Sequence, residues 1–220
     1  WNKTAVQVNF NGTDALSGVV ECSSKTVSIE GRAQPAAGWC RATAGNVAYA
    51  TATLNIDLTQ PVVSAAQTPA KNGYGWNNAS VTVIFEGTDA LSGIAYCAPA
   101  QIIPDEGSSR NVSGYCLDYA GLSSTAALTQ NIDKTAPATT AGLSGTLVNG
   151  WYNTAVSITL VSADALSGVL RTNYRLERGG VLVSSGVYVS PVAASADGLY
   201  TVYYYATDKA GNAEAEKPTA

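Results

Sequence analysis

The sequence contains no histidine and no methionine, and only 13% of its 220 residues are charged. Without histidine, the chain lacks the commonest general base near neutral pH, most catalytic triads and many zinc sites. No apolar run approaches the roughly 20 residues that span a bilayer. A chain that lacks methionine and begins at Trp1 is expected to be a portion of a longer protein. These absences argue against an enzyme and against membrane insertion of this segment.

The charge balance gives no reason to expect a polyanionic partner. The net charge is −4 and the isoelectric point is about 4.7, so neither nucleic acid nor an anionic membrane is favoured electrostatically. The abundant residues are Ala, Ser, Thr, Gly and Val, and 46% of the chain is hydrophobic. This composition is typical of short β-strands joined by turns of small residues.

Four cysteines fall into two pairs, Cys22 with Cys40 and Cys97 with Cys116. Neither pair has the C-x-x-C spacing of a zinc or redox motif, and no histidine is present to complete a zinc site. The preferred interpretation is two disulfides formed in an oxidising compartment. Four buried thiols in a reducing cytoplasm are the alternative.

The sequence repeats itself three times at an offset of 75 residues. The motif DALSG stands at residues 14–18, 89–93 and 164–168, and Trp1, Trp76 and Trp151 keep the same offset. Between these markers, apolar residues alternate with polar ones at 6–10, 81–85 and 156–160, which predicts strands with one buried face. A second turn follows at 44–46, 120–122 and 210–212. No segment has helical periodicity.

These patterns predict an all-β fold of three tandem immunoglobulin-like β-sandwich domains in an elongated array. The predicted domains are residues 1–57, which lack the first strand, 58–133 and 134–220. Because an open strand edge recruits other strands, the missing strand is expected either upstream in the parent chain or from a neighbouring subunit. The third repeat has Thr172 and Ala206 in place of the cysteines, with a longer segment between them. Additional strand and core are expected there in place of the crosslink.

Five motifs occur in order in residues 133–212: DKTAP, NGWYN, DALSG, YRL and DKAGN. They resemble the bacterial Ig-like repeats of secreted and cell-surface proteins and adhesin stalks. The resemblance implies an extracellular or cell-surface segment of a microbial stalk, adhesin or filament, with neighbouring repeats or subunits of the same protein as its partners. The first repeat departs from the pattern, because Ala42 stands where an aspartate is expected. The alternative is an accessory module of a secreted carbohydrate-active enzyme, which binds surface glycans or spaces other domains.

The immunoglobulin-like strand order predicts where the cysteines and aspartates lie. The cysteine pairs would join neighbouring strands C and F of one sheet, unlike the bridge between sheets in antibody domains. The end of one repeat would meet the B–C and F–G turns of the next, so Asp57 should face Asp89 and Asp118. By the same argument, Asp133 should face Asp164 and Asp208. Three carboxylates form an oxygen-rich site of the type that Ca²⁺ prefers, so Ca²⁺ bound at the interdomain joints is one hypothesis. The preferred interpretation is that these aspartates only cap turns.

Three further features of the sequence lead to expectations about individual residues. The N-glycosylation acceptor pattern occurs at four positions, Asn2, Asn11, Asn78 and Asn111. The recurring tryptophans are expected to fill the end of each sandwich or a joint, with sugar stacking as the alternative. The adjacent carboxylates Asp105 and Glu106 are expected to be solvated in a loop, because nothing in the sequence implies a cleft between two catalytic acids.

Overall fold

The computed structural model describes residues 1–219, and the chain is all-β over this range. No helix occurs among these residues, and none of them therefore forms a helix long and apolar enough to cross a membrane. Twenty strands assemble into several antiparallel sheets.

Eleven strands lie in the first two repeats, and they form four sheets. The strands are β1 (Val6–Asn9), β2 (Val19–Cys22), β3 (Ser24–Val27), β4 (Gly31–Ala42), β5 (Val47–Ile56), β6 (Val62–Thr68), β7 (Val81–Thr88), β8 (Ile94–Cys97), β9 (Gln101–Ile103), β10 (Gly107–Asp118) and β11 (Ser123–Ile132). The sheet orders are β1-β3, β2-β4-β5, β6-β7-β9 and β11-β10-β8. Each of the two repeats thus contributes two sheets.

Nine strands lie in the third repeat: β12 (Ala138–Ser144), β13 (Leu147–Val148), β14 (Trp151–Tyr152), β15 (Val156–Ala163), β16 (Val169–Arg178), β17 (Val181–Val187), β18 (Val192–Ala194), β19 (Tyr200–Asp208) and β20 (Lys217–Thr219). The two main sheets have the orders β12-β15-β18 and β17-β16-β19-β20, and β13 pairs with β14 in a short hairpin. Strand β17 and the β13–β14 hairpin have no counterpart in the other repeats. The expectation of additional strand in the third repeat is therefore met.

The chain divides into two compact units. One comprises Trp1–Ala66, Val83–Gln101 and Val112–Leu128, and the other comprises Gln67–Thr82, Ile102–Asn111 and the C-terminal residues from Thr129 onward. In the first unit, Val27, Ala36 and Ile56 form a buried cluster against which Val6, Val8 and Leu54 pack. In the second unit, the core cluster consists of Ile158, Leu160, Leu176, Val202 and Tyr204. The three-domain boundaries stay a prediction.

The alternating apolar runs form strands in all three repeats, as the sequence predicts. Residues Val81, Val83 and Phe85 on β7 are buried, whereas the residues between them face outward or are half-buried. Strand β1 is less completely covered, because Val6 and Val8 remain half-buried. Its equivalents β7 and β15 are central strands of three-stranded sheets, whereas β1 pairs only with β3 among the residues described.

Glycine closes both recurring turns because the backbone there adopts positive φ. Gly93, the last residue of the second DALSG motif, has a φ of 83°, and Gly121 in the turn after β10 has a φ of 85°. Residues with a Cβ are strained in this conformation. The two turns bring the ends of β7 and β10 into fixed positions beside the start of the next strand.

Candidate metal-binding site

Both predicted disulfides are present, and each joins neighbouring strands of one sheet. Cys22 on β2 is the direct register partner of Cys40 on β4, and Cys97 on β8 is that of Cys116 on β10. No free cysteine remains. The within-sheet position predicted from the strand order is therefore confirmed.

A buried polar network occupies the corresponding place in the third repeat. Thr172 on β16 lies directly opposite Ala206 on β19. The Thr172 hydroxyl is 2.6 Å from that of Ser162, which is 2.7 Å from the hydroxyl of Thr139. Thr139 also donates its hydroxyl hydrogen bond to Glu214. The sequence predicted more strand and core in place of the crosslink, and the structure adds this hydrogen-bonded chain.

Glu214 is held in its charged form by this network. Burial raises the pKa of Glu214, but hydrogen bonds from Lys217, Thr139 and Ala206 outweigh burial, so its pKa lies below the ordinary value. The Lys217 ammonium is 2.8 Å from the Glu214 carboxylate, and the Ala206 backbone N–H donates to it at 2.9 Å.

Six aspartates gather into two clusters of three. The first aspartate cluster consists of Asp57, Asp89 and Asp118, and the second of Asp133, Asp164 and Asp208. In each cluster, one carboxylate oxygen from every member lies within 4.8 Å of the others. These are the same two groups of aspartates that the sequence analysis predicts to lie together from the strand order.

Strand ends position the three members in the same way in both clusters. Asp57 directly follows β5, Asp89 directly follows β7, and Asp118 is the last residue of β10. The Asp57 N–H donates to the Asn2 carbonyl at 2.8 Å, and the Asn2 N–H donates to the Asn55 carbonyl at 2.8 Å. This short parallel pairing fixes the direction in which the chain leaves β5.

The second aspartate cluster repeats this arrangement. Asp133 follows β11, Asp164 follows β15, and Asp208 ends β19. The Asp133 N–H donates to the Asn77 carbonyl at 2.9 Å, as Asp57 does to Asn2. The two clusters are therefore built by equivalent backbone geometry 75 or more residues apart.

Backbone amides of the DALSG turn bind the first two aspartates of each cluster. Ser92 N–H donates to Asp57 Oδ2 at 2.9 Å, and Gly93 N–H donates to Asp89 Oδ1 at 2.7 Å. The equivalent bonds in the second cluster run from Ser167 to Asp133 at 2.9 Å and from Gly168 to Asp164. The turn-capping role is thus present, and it uses only part of each carboxylate's acceptor capacity.

The carboxylates carry concentrated negative charge that is not neutralised by side chains. Asp57, Asp118, Asp133 and Asp208 are at most 1% exposed. Burial raises the pKa of Asp57, but hydrogen bonds from Ser92 and Thr59 outweigh it, so the pKa of Asp57 is lowered. In the part of the chain that the structure describes, no lysine or arginine forms a salt bridge with any of the six aspartates. Two oxygens that bind one cation at about 2.4 Å can be at most ~4.8 Å apart, so either cluster could hold a metal ion.

A glutamate anchors the segment that follows the first aspartate of each cluster, a role that the sequence analysis did not predict. Glu106 accepts hydrogen bonds from the Thr135 hydroxyl at 3.0 Å and from the Lys134 backbone N–H, although it is exposed as expected. Glu30 accepts equivalent bonds from Thr59 and Leu58, at 2.9 and 3.1 Å. Glu30 and Glu106 occupy nearly the same position in their repeats, and this recurrence was the signal in the sequence that could have revealed their anchoring role.

Contacts between neighbouring repeats surround both clusters. The Lys3 ammonium donates to the Gly121 carbonyl at 3.4 Å, and Arg32 donates to the Leu91 carbonyl. Beside the second cluster, the Asn72 side-chain amide donates to the Lys209 carbonyl at 2.8 Å. We use "first joint" and "second joint" for these two contact regions.

The tryptophans do not share one environment. Trp1 is 36% exposed, and the Arg32 guanidinium lies 5.3 Å from its ring centroid. Trp76 is half-buried, whereas Trp151 is 67% exposed. Trp151, on the β13–β14 hairpin, is therefore not packed inside the end of its sandwich, although it lines a cavity together with the core residues Ile158 and Leu176.

The four asparagines of the glycosylation pattern are also in different environments. Asn11, Asn78 and Asn111 are exposed. Asn2 is half-buried, and its side-chain amide donates to the Asn55 carbonyl at 3.1 Å. The nitrogen that would carry a glycan is therefore already bound at Asn2.

Comparison of the chain with protein-family models and with curated proteins finds no match.

Proposed function

We propose that this chain is a structural segment of an extracellular or cell-surface stalk, adhesin or filament, in which Ca²⁺ fixes the joints between three immunoglobulin-like repeats. It has no catalytic role in this proposal. The observation that supports it most is the recurrence of three buried or half-buried aspartates at both joints. A recurring turn cap needs one carboxylate, and a site for a hard cation needs several.

The sheet pairing supports the repeat architecture. In each repeat, one sheet contains the strand before the DALSG motif, and the other contains the strand that follows it. This is the division of strands B and C between two sheets in immunoglobulin-like sandwiches. Two disulfides in the first two repeats favour an oxidising compartment.

The three-aspartate geometry also favours Ca²⁺ over a softer metal. Every side chain in the two clusters offers oxygen, and neither sulfur nor imidazole is available. Oxygen-only donor sets suit Ca²⁺ or Mg²⁺, and an irregular set shared between two turns and a strand end suits the more adaptable Ca²⁺ coordination. Binding of one ion by three carboxylates would offset two of their negative charges and couple the end of one repeat to the turns of the next.

The experiment is a thermal melt of the full chain in Ca²⁺, in Mg²⁺ and in chelator, with isothermal titration of CaCl2. Ca²⁺ is expected to raise the melting temperature, since a ligand that binds only the folded state stabilises it. An Asp89→Asn variant should lose part of this rise. Asp14→Asn is the matched control, because Asp14 occupies the same turn in the first repeat, where Ala42 replaces the third aspartate. The absence of binding and of any chelator effect would exclude the proposal.

A cavity in the third repeat supports the alternative function, that of a carbohydrate-binding accessory module. The cavity has a volume of about 610 Å³ and is lined in part by Trp151, Tyr152, Asn153, Asp197 and Tyr200. Aromatic faces beside amide and carboxylate groups are able to stack on and hydrogen-bond a sugar. Pull-down by insoluble polysaccharides, lost in Trp151→Ala and retained in Tyr49→Ala, would favour this function. Tyr49 is 81% exposed and lies outside the cavity.

A further inference from the structure

The two aspartate clusters differ in the turn that follows the third aspartate. Leu122 and Asn212 are four residues after Asp118 and Asp208, respectively. Their backbone N–H groups make the same bond to Oδ1 of that aspartate, at 2.9 and 2.8 Å. The two side chains therefore begin from equivalent positions, but only asparagine can hydrogen-bond.

In the second cluster, the Asn212 amide compensates for Asp208. Its Nδ2 donates to Asp208 Oδ2 at 2.8 Å and to the Asp133 backbone carbonyl, also at 2.8 Å. Both oxygens of the Asp208 carboxylate thus have protein donors, since Oδ1 accepts from the backbone. The same amide connects the turn after β19 to the end of β11, which is the connection that a shared ion would make.

In the first cluster, one buried carboxylate oxygen has no such partner. Asp118 is 1% exposed, and its Oδ2 is buried without any hydrogen-bond partner. Leu122 occupies the place of Asn212, and its side chain has no donor. A buried charged oxygen without a partner is costly, and the groups that face it are the carboxylates of Asp57 and Asp89. Lys3 and Arg32, at the same joint, donate to the Gly121 and Leu91 carbonyls and form no salt bridge with these aspartates. A divalent cation in the first cluster would bind Asp118 Oδ2 and offset two of the three negative charges.

A second difference lies one residue after the third aspartate. Tyr119 stands where the second cluster has Lys209. A Cβ added at Gly168 would lie 3.6 Å from the Lys209 ammonium. A positive charge is therefore near the DALSG turn of the second cluster. At the equivalent Gly93, the neighbour is the uncharged ring of Tyr119, at 3.9 Å, but the Arg32 guanidinium donates to the Leu91 carbonyl of the same turn. A positive charge therefore lies near each cluster, and the difference between the clusters rests on Asn212.

We propose that the first aspartate cluster binds the divalent cation more tightly than the second, because the Asn212 amide replaces part of the ion's role at the second joint. This inference rests on the proposed function, in which the clusters hold Ca²⁺. The first joint is then ion-dependent, and the second remains connected without an ion. Because a hydrogen bond to the charged oxygen is present in only one of the two clusters, the affinities should differ by about tenfold or more.

The test is isothermal titration of CaCl2 into chelator-treated full-length chain. The native chain should bind one ion tightly. Asp118→Asn should abolish that tight site, and the matched Asp208→Asn should leave it unchanged. Far-UV circular dichroism and melting curves without Ca²⁺ would verify that each variant is folded.

Exchange of the two turn residues provides the second arm. Leu122→Asn supplies an amide to Asp118 and should weaken the tight site about tenfold or more. Asn212→Leu frees Asp208 Oδ2 and should add a second tight site. Two equal sites in the native chain, or loss of the tight site in Asp208→Asn, would overturn the inference and leave the proposed function intact. The absence of any Ca²⁺ binding would overturn both the inference and the proposed function. This result is expected if a water molecule, rather than a cation, hydrogen-bonds to Asp118 Oδ2.

Discussion

Gly87 lies directly against Cys116, so that a Cβ at Gly87 would be 2.9 Å from both Cβ and Sγ of that cysteine. A Cβ essentially never comes this close to a non-bonded atom, and the disulfide therefore requires glycine on the facing strand β7. Gly12 has the same relationship with Cys40, at 3.3 Å. In the third repeat the equivalent residue is Ser162, whose hydroxyl bonds to Thr172 instead. At this place in the fold, glycine accompanies cysteine in the first two repeats, and serine accompanies threonine in the third.

This relationship predicts how a disulfide can be introduced into the third repeat. Thr172→Cys with Ala206→Cys alone should crosslink poorly, because the Ser162 side chain occupies the space that the sulfur needs. The triple variant that adds Ser162→Gly should crosslink fully. The new bridge encloses a longer loop than the native separations of 18 and 19 residues, so it should stabilise the repeat by up to about 3–4 kcal/mol.

Mass spectrometry after thiol labelling would measure crosslinking, and melting curves would measure stability. Ser162→Gly alone is the control, since it removes the hydroxyl without supplying a bridge. Equal crosslinking of the double and triple variants would contradict the steric explanation.

A second pair of residues is matched across the core of the second repeat. A Cβ at Gly114 would overlap the ring of Phe85, as one at Gly38 would overlap Phe10. In the third repeat, Leu160 and Tyr204 occupy the equivalent places in one core cluster, so a smaller residue on one strand accompanies a larger one on the other. Gly114→Ala should therefore destabilise the protein by about 1–3 kcal/mol through overpacking.

Phe85→Leu should relieve this overlap. The double variant is expected to be more stable than the sum of the single variants predicts, in chemical denaturation analysed as a double-mutant cycle. Gly73→Ala is the matched control, because no atom lies within 4 Å of a Cβ there. Strictly additive effects would argue against direct coupling of Gly114 and Phe85.

The sequence was sufficient to predict the strands whose residues alternate and the meeting of the six aspartates. Both predictions depend on periodic spacing, which can be read directly from the sequence. Strand β4 was harder to predict, because its residues include glycine, proline and several alanines, which have little intrinsic preference for strands. The bond between Thr139 and Glu214 was not predictable either, since these residues are far apart in the chain and their contact appears only when β12 and the segment after β19 are brought together. The exposure of Trp151 depends on a hairpin that the other repeats lack.

Stability should depend on pH through Glu214. Its pKa is lowered on folding, because burial, which raises it, is outweighed by the bonds from Lys217, Thr139 and Ala206. A carboxyl whose pKa is lower in the folded state contributes stability above its unfolded pKa, here about 4.5, and that contribution is lost as the pH falls through the folded value. Glu214→Gln should thus cost about 1–3 kcal/mol at pH 7 and distinctly less at pH 3.

Urea denaturation of both proteins at the two pH values would measure this difference. Glu216→Gln is the matched control, because Glu216 is exposed and its ion pair with Arg175 at 3.1 Å lies at the surface. A cost for Glu214→Gln that does not change between pH 7 and pH 3 would mean that the charge of Glu214 is not what stabilises the network.

The first repeat separates turn capping from metal binding, because it keeps the DALSG turn without an aspartate cluster. Asp14 Oδ1 accepts from the backbone N–H groups of Ser17 at 2.6 Å and Gly18 at 3.0 Å, as Asp89 does from Gly93. Asp14→Ala should therefore lower stability slightly, and equally in Ca²⁺ and in chelator, because it removes only the hydrogen bonds within the turn. Asp89→Ala should cost a similar amount in chelator and clearly more in Ca²⁺, because it also removes a ligand. Melting curves of the two variants under both conditions measure the difference, and identical losses throughout would leave these aspartates as turn caps alone.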